Sequence, residues 1–281
     1  FFKQKTAYEI STRDWSSDVC SSDLNVAMLP QSFAYLCRMT DTPWFASWFD
    51  TSYYHQLYNH RSEEEAQAFI ARLIDFIALE PKSKVLDLAC GKGRHARTLH
   101  ALGLDVLGTD LSPQSIAFAN ESAEDGLNFK VQDMREPLLN ASFDAVFNLF
   151  TSFGYFDSTA ENQRVIDAVN SMLKPHGILV IDFLNAQRVI STLVPSEEVQ
   201  RDALTFKIRR EIKASKVIKH IEFTDKGKDF HFTEQVQLLQ MADFRELLNE
   251  QFYILHTFGD YDLNKFDPSI STRLILIAQK K

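Results

Sequence analysis

Cysteine is scarce. The chain has three, Cys20, Cys37 and Cys90, in 281 residues, with no CxxC pair and no Cys/His metal spacing. That excludes a disulfide-stapled scaffold and a structural zinc finger, and leads to the expectation of a reducing, cytoplasmic setting with no metal. Long apolar runs are missing too. None approaches the roughly 20 residues that span a bilayer, so a soluble chain without membrane partners is expected. Positive charge is in deficit, with 30 Lys and Arg against 38 Asp and Glu, a net charge of -8. A broad nucleic-acid footprint needs a basic face, so no nucleic-acid partner is expected. There is no internal repeat.

The first 24 residues, FFKQKTAYEISTRDWSSDVCSSDL, have neither helical nor strand period and no signal-peptide core. They resemble translated sequencing-adapter read-through and are set aside as an artefact or a disordered tail. Met39, in MTDTPWF, is a candidate translation start.

From residue 62 a rhythm sets in. Ser62–Glu65 reads as a capping box, followed by Ala66, Phe69, Ile70, Leu73, Phe76 and Ile77 at helical spacing. Lys84–Ala89 is a short apolar strand. A glycine turn, Cys90–Gly93, leads into a helix that stops at Gly103. Strand 104–109, a helix opened by Ser112-Pro113, strand 129–132, strand 143–149, helix 159–173, a turn at Lys174–Gly177 and strand 178–183 follow. Strand–helix alternation implies a parallel sheet with helices on both faces. After about residue 200 the pattern changes. Segments 204–214, 216–224 and 229–239 alternate charged and apolar residues, as antiparallel strands with one wet face do, and Asp225–Lys228 is a hairpin turn candidate. A helix at 242–249 and strands 252–259 and 272–279 close the chain.

The chemistry concentrates in VLDLACGKGRHA, residues 85–96. A strand ends in a carboxylate, Asp87. A glycine turn then admits a ligand against the backbone, and a helix N-terminus offers unpaired N–H groups. Gly91-x-Gly93-x-x-Ala96 also satisfies a dinucleotide fingerprint, with Asp110 as a ribose acid. Three acids at consecutive strand ends, Asp87, Asp110 (in TDLS) and Asp133 (in QDM), favour a different ligand. Asp87 suits the ammonium of a methionine moiety, Asp110 the ribose hydroxyls, and Asp133 an adenine amino group, with the Met134 amide donating to a ring nitrogen. Open α/β sheets bind ligands at this edge.

DLACGKG, TDLS, QDM and MLKPHGILVIDF together resemble the class I S-adenosylmethionine (SAM)-dependent methyltransferases, with Ala89 where a glycine is common. The resemblance covers residues 81–184 and implies a Rossmann-like, doubly wound α/β sheet of seven strands. That sheet is mostly parallel with an antiparallel terminal strand, and a small antiparallel β insertion is added. It divides the chain into an N-terminal helical cap (25–80), a SAM-binding core (81–200), a lid insertion (201–240) of the kind found in glycine and amino-sugar N-methyltransferases, and a completing segment (241–281). It implies SAM as cofactor. Asp87, Ala89, Cys90, Gly91 and Gly93 would lie at the methionine part, Asp110, Leu111, Asp133 and Met134 at adenosine, and Phe150 beside the transferring methyl. The strand-four end, NLFTSFGYF, lacks the Asn/Asp-Pro-Pro-aromatic motif of base-amine methyltransferases and the Pro-Cys nucleophile of cytosine-C5 enzymes. A small-molecule acceptor, methylated on nitrogen or oxygen, is therefore expected.

Tyr53, Tyr54 and Tyr58, in an unusually aromatic stretch, are candidates to close the site, with Arg61 as an anion contact; an amphipathic helix covering a sheet face explains them equally well. Tyr155 and Asn185 are further candidates for the acceptor pocket. At least half of Phe150, Phe153, Tyr155 and Phe156 are expected in the core. No triad is evident, and His55 is the one candidate base. Two rival readings share part of this evidence. An NAD(P)-dependent oxidoreductase leaves Asp87 and Asp133 without a role. A non-catalytic SAM-binding module would keep the cofactor residues and never turn over.

Overall fold

The structure, a computed structural model, describes residues 44–58 and 63–281. The N-terminal leader, Met39, Arg61 and Ser62 of the capping box lie outside the described residues.

In chain order the first elements are α1 (Trp44–Trp48), α2 (Ser52–Leu57), α3 (Glu63–Ile77), β1 (Lys84–Leu88), α4 (Arg94–Ala101), β2 (Asp105–Asp110), α5 (Pro113–Ala119), β3 (Leu127–Val131), β4 (Phe143–Asn148), α6 (Thr159–Met172) and β5 (Leu173–Leu184). They continue as α7 (Ala186–Thr192), β6 (Ser196–Arg201), β7 (Leu204–Lys213), β8 (Lys216–Asp225), β9 (Lys228–Gln237), α8 (Met241–Leu248), β10 (Phe252–Phe258) and β11 (Arg273–Lys280). The starts follow local chemistry. Ser112 accepts from the Ser115 amide at 3.0 Å ahead of Pro113, which fixes the entry to α5. Gln240 and Asp243 form a reciprocal capping box on α8.

Seven strands make one sheet in the order β10-β11-β5-β4-β1-β2-β3. β1 to β5 pair in parallel, and β11 runs antiparallel to both β5 and β10. Strand alternation divides the core. Leu86, Leu88, Val146, Leu179 and Ile181 face α6 and α8, where Val165, Ile166, Val169, Phe244 and Leu248 meet them. Val85, Ala145, Phe147 and Val180 face the other way, onto Phe69, Ile70 and Leu73 of α3 and Ala96 and Leu99 of α4. Burial on both faces explains why β4 and β5 read as unbroken apolar runs.

Two details depart from the sequence reading. Lys174–Gly177 does not precede β5 but is bulged within it. β4 pairs Phe143 with Leu173 and then Ala145 with Ile178, and Lys174 is held there by Asp144 at 2.7 Å. The second sheet has four strands, β6-β7-β8-β9, all antiparallel. The extra one is β6, SEEVQR, whose single apolar residue gives no alternation to detect. The β8–β9 hairpin turns at Lys226 and Gly227, φ 49° and 75°, as its Asp-Lys-Gly-Lys sequence predicts. One face of this sheet (Phe206, Ile208, Ile221, Phe223) packs on Trp48 of α1 and Leu57 of α2. Among the described residues no helix is long and apolar enough to cross a membrane.

Candidate functional site

A cavity of about 580 Å³ opens at the C-terminal ends of β1 to β4 and continues under the second sheet. One wall is the glycine turn with the strand ends: Ala89, Cys90, Gly91, Asp110, Leu111, Asp133 and Met134. The rest of the lining includes an aromatic wall, with Trp44, Phe45, Phe49, Tyr54, Phe150, Tyr155 and Phe156.

The turn owes its shape to three residues with positive φ: Ala89 at 63°, Gly91 at 55° and Gly93 at 78°. Ala89 thus sits in the left-handed region that glycine occupies at lower cost. The two glycines serve different needs. A Cβ on Gly91 would meet no protein atom within 4 Å, whereas one on Gly93 would fall 2.7 Å from the Phe129 ring. Gly93 therefore shapes the turn and does not line the cavity. Gly108 on β2 has the same packing constraint, with Phe129 at 2.5 Å and the Cys90 sulfur at 2.9 Å from its Cβ position. The sequence reading assigned Gly108 no part.

Asp87 lies just behind this wall, 1% exposed. Burial pushes its carboxyl up to about 7, opposed by a hydrogen bond from the Ala96 amide. Its Oδ2 has no hydrogen-bond partner, an exception among buried carboxylate oxygens that needs a reason. Asp110 accepts from the Gly91 amide and the Ser112 amide, each at 2.8 Å. Burial raises its pKa, and those amides pull it back. Asp133 is buried enough to be pushed up, but Arg135 outweighs that with hydrogen bonds of 2.7–3.2 Å and holds it below the usual carboxylate range. Burial also raises the Cys90 thiol well above its ordinary value.

The β4 end carries the most strain. Phe150 and Thr151, neither a glycine, both stand at φ 62°. Consecutive residues in this region cost on the order of 1–2 kcal/mol each and persist where surroundings over-determine them. Here the surroundings are Asp182 of β5 and Arg273 of β11. Asp182 accepts from the Phe150 amide at 2.9 Å, from Arg273 Nε at 2.7 Å and from the Tyr261 hydroxyl at 3.2 Å. Arg273 also donates to Thr151 Oγ1 at 2.8 Å. Sequence reasoning missed this group. Its signal was an acid inside ILVIDF, where an apolar strand buries a charge only with a partner.

The acceptor-side candidates divide. Tyr54, His55, Tyr58 and Tyr155 line the cavity. Tyr53 does not: its hydroxyl donates to Asp225 at 2.9 Å and its ring packs on Phe223 and Phe230. Asn185 lies elsewhere. It caps α7 and donates to the carbonyls of Pro268 and Ser271 at 2.9 and 2.8 Å, beside a separate hollow under α8. Phe153 is core, packed near Phe244. A link invisible in the sequence ties the aromatic segment to the strand ends. Asp50, just after α1, accepts from Ser112 Oγ at 2.5 Å and the Gln114 amide at 3.1 Å. Among the described residues no three His, Cys, Asp or Glu side chains converge as metal ligands.

Comparisons agree with this architecture. A family model described as a methyltransferase domain matches residues 85–177, which run from β1 to the β5 bulge. The chain is 28% identical over 240 residues to "Putative methyltransferase YqeM" of Bacillus subtilis (strain 168), covering 82% of this chain and 95% of the relative. It is 27% identical over 164 residues to a dTDP-3-amino-3,4,6-trideoxy-alpha-D-glucopyranose N,N-dimethyltransferase of Streptomyces venezuelae, covering 57% and 69%. In fold it is similar to an S-adenosylmethionine-dependent methyltransferase of Clostridium acetobutylicum ATCC 824, with a TM-score of 0.69 at 19% identity over 81% of this chain and 95% of that one.

Proposed function

Because this chain is a class I SAM-dependent methyltransferase, we propose that it places the methyl group on a nitrogen of a small molecule bound between the glycine wall and the aromatic wall. The observation that carries this is one continuous cavity that joins the two walls. The nitrogen reading draws support from the relative that acts on an amino sugar.

The residues fit the cofactor. The partnerless Asp87 Oδ2 offers an acceptor for the methionine ammonium, and the open space before Gly91 is a cradle that any Cβ would narrow. Asp110 keeps lone pairs for the ribose hydroxyls beyond the two amides it already accepts. Asp133, with Leu111 and the Met134 amide beside it, takes the adenine end. Ala89 and Cys90 border the methionine part, and Gly93 sets the turn. When bound, SAM supplies an electrophilic methyl on a sulfonium, which aromatic faces attract and shield from water. Phe150 and Tyr155 are placed for that, on a turn held rigid by Asp182 and Arg273. Tyr54, Tyr58 and His55 border the acceptor. Positioning supplies most of the acceleration for a neutral amine, whereas a hydroxyl acceptor would call on His55 as base. The second sheet serves as the lid.

Thermal stabilisation of the full chain tests this. At 100-fold excess over its dissociation constant a native-state ligand stabilises by about 2.7 kcal/mol. SAM and S-adenosylhomocysteine are expected to shift the transition, and Asp110→Ala to abolish the shift. A shift with NAD alone would overturn the reading.

A further inference from the structure

The aromatic half of the cavity contains one feature that the cofactor does not explain. Among the described residues that line it, Glu234 of β9 is the only carboxylate contributed by the second sheet. Its neighbours fix it from behind. Trp48 Nε1 donates to Oε1 at 2.7 Å, and the Tyr58 hydroxyl sits 2.9 Å from both oxygens. Lys219, directly opposite on β8, approaches Oε2 at 3.6 Å and is hydrogen-bonded to the Tyr58 hydroxyl. Both side chains of the pair are about 15% exposed (14% and 15%). Burial lowers the Lys219 pKa, and Glu234 partly restores it.

A carboxylate has about four lone-pair positions. Trp48 takes one position on Oε1, the single Tyr58 hydroxyl proton is shared between the two oxygens, and Lys219 stands off Oε2 at 3.6 Å, which leaves a lone-pair position for a further donor. Trp44, Phe49, Tyr54 and Tyr155 line the same cavity, Tyr54 packing on both Trp48 and Tyr58, and their ring faces attract cations. An aromatic wall with one oriented acid recognises an ammonium group, through a charge-assisted hydrogen bond and cation–π contact together. A hydroxyl would gain the hydrogen bond to the carboxylate but neither the charge pairing nor the cation–π attraction.

We propose that Glu234, oriented by Trp48 and Tyr58 and balanced by Lys219, is the docking carboxylate for the acceptor, and that the acceptor is a small molecule carrying a primary or secondary amine, which docks as the ammonium and gives up a proton, to Glu234 or to water, before its lone pair takes the methyl. This rests on the methyltransferase reading above and adds the group that the acceptor presents. The competing account is that the cluster only staples α1 and α2 to the second sheet.

The test uses the full chain saturated with S-adenosylhomocysteine and two matched probes, 3-amino-3-deoxyglucose and glucose, measured by calorimetry at pH 7. The amine is expected to bind at least about tenfold tighter, equivalent to about 1.4 kcal/mol. Glu234→Gln should erase that preference while S-adenosylhomocysteine affinity stays within about twofold, and Glu234→Asp should keep part of it. Because Gln leaves Lys219 without its counter-charge, the double variant Glu234→Gln/Lys219→Met is measured beside it and should behave alike. If the wild type does not distinguish the probes, or the preference survives in both Gln variants, the proposal is wrong. Failure of S-adenosylhomocysteine to bind at all would instead strike the methyltransferase reading itself.

Discussion

Gly91 and Gly93 stand two residues apart in one turn, yet alanine should damage the protein in opposite ways. At Gly91, φ 55° costs alanine about 1 kcal/mol and nothing crowds the new methyl within 4 Å. For a domain of this size that lowers Tm by about 2–4 °C. If Gly91 borders the cofactor as proposed, the added methyl obstructs it, and affinity for S-adenosylhomocysteine, read from its stabilisation, should fall by more than tenfold. At Gly93, φ 78° carries the same backbone cost, and the methyl meets Phe129 at 2.7 and 2.8 Å and Ala119 at 3.3 Å. Overpacking adds roughly 1–3 kcal/mol, for a total of about 2–4 kcal/mol and several times the Tm loss. Phe129→Leu in the Gly93→Ala background should recover part of it by removing the ring. Differential scanning calorimetry with and without ligand reads both effects. Equal Tm losses in the two variants, or full ligand affinity in Gly91→Ala, would refute the separation of a packing glycine from a ligand glycine.

Asp87 gives a pH test. Unfolded, its carboxyl titrates near 3.8; folded, near 7. The folded state holds the proton more tightly, so this stabilising contribution is complete below pH 3.8 and is lost as pH rises through 7. The loss is about 4 kcal/mol, and Asp87→Asn should remove it, matching or exceeding wild-type Tm at pH 8 without ligand while forfeiting stabilisation by SAM. A Tm difference independent of pH would contradict the assignment. Arg273→Met leaves Asp182 charged and unpaired and should cost about 3–5 kcal/mol in urea unfolding. A cost under 1 kcal/mol would show that the Phe150–Thr151 turn holds itself. Cys90, with a buried thiol of raised pKa, should resist maleimide at pH 7.5 until the protein unfolds, as read by peptide mass spectrometry.

What local sequence determines is clear in particular elements. Ser112-Pro113 fixes the start of α5 because a hydroxyl cap and a preset φ act within one turn. Alternation on β7 to β9 and unbroken apolar runs on β4 and β5 reflect one buried face or two. Asp110 and the glycine turn were legible because they follow one another along parallel strands, where sequence order is also spatial order. The tertiary structure alone decided the rest. Asp182 meets Tyr261 and Arg273 across 79 and 91 positions, and Asp50 reaches Ser112 over 62. Asn185 and Tyr53, plausible by their neighbours in the chain, were drawn elsewhere by carbonyls and rings that only folding brought near. Glu234 gained its setting the same way, since its bonds to Trp48 and Tyr58 span 186 and 176 positions. Hydrogen bonds and charge pairs act over a few ångströms, and which groups come within that range is set by sheet order and by helix packing, not by proximity in sequence.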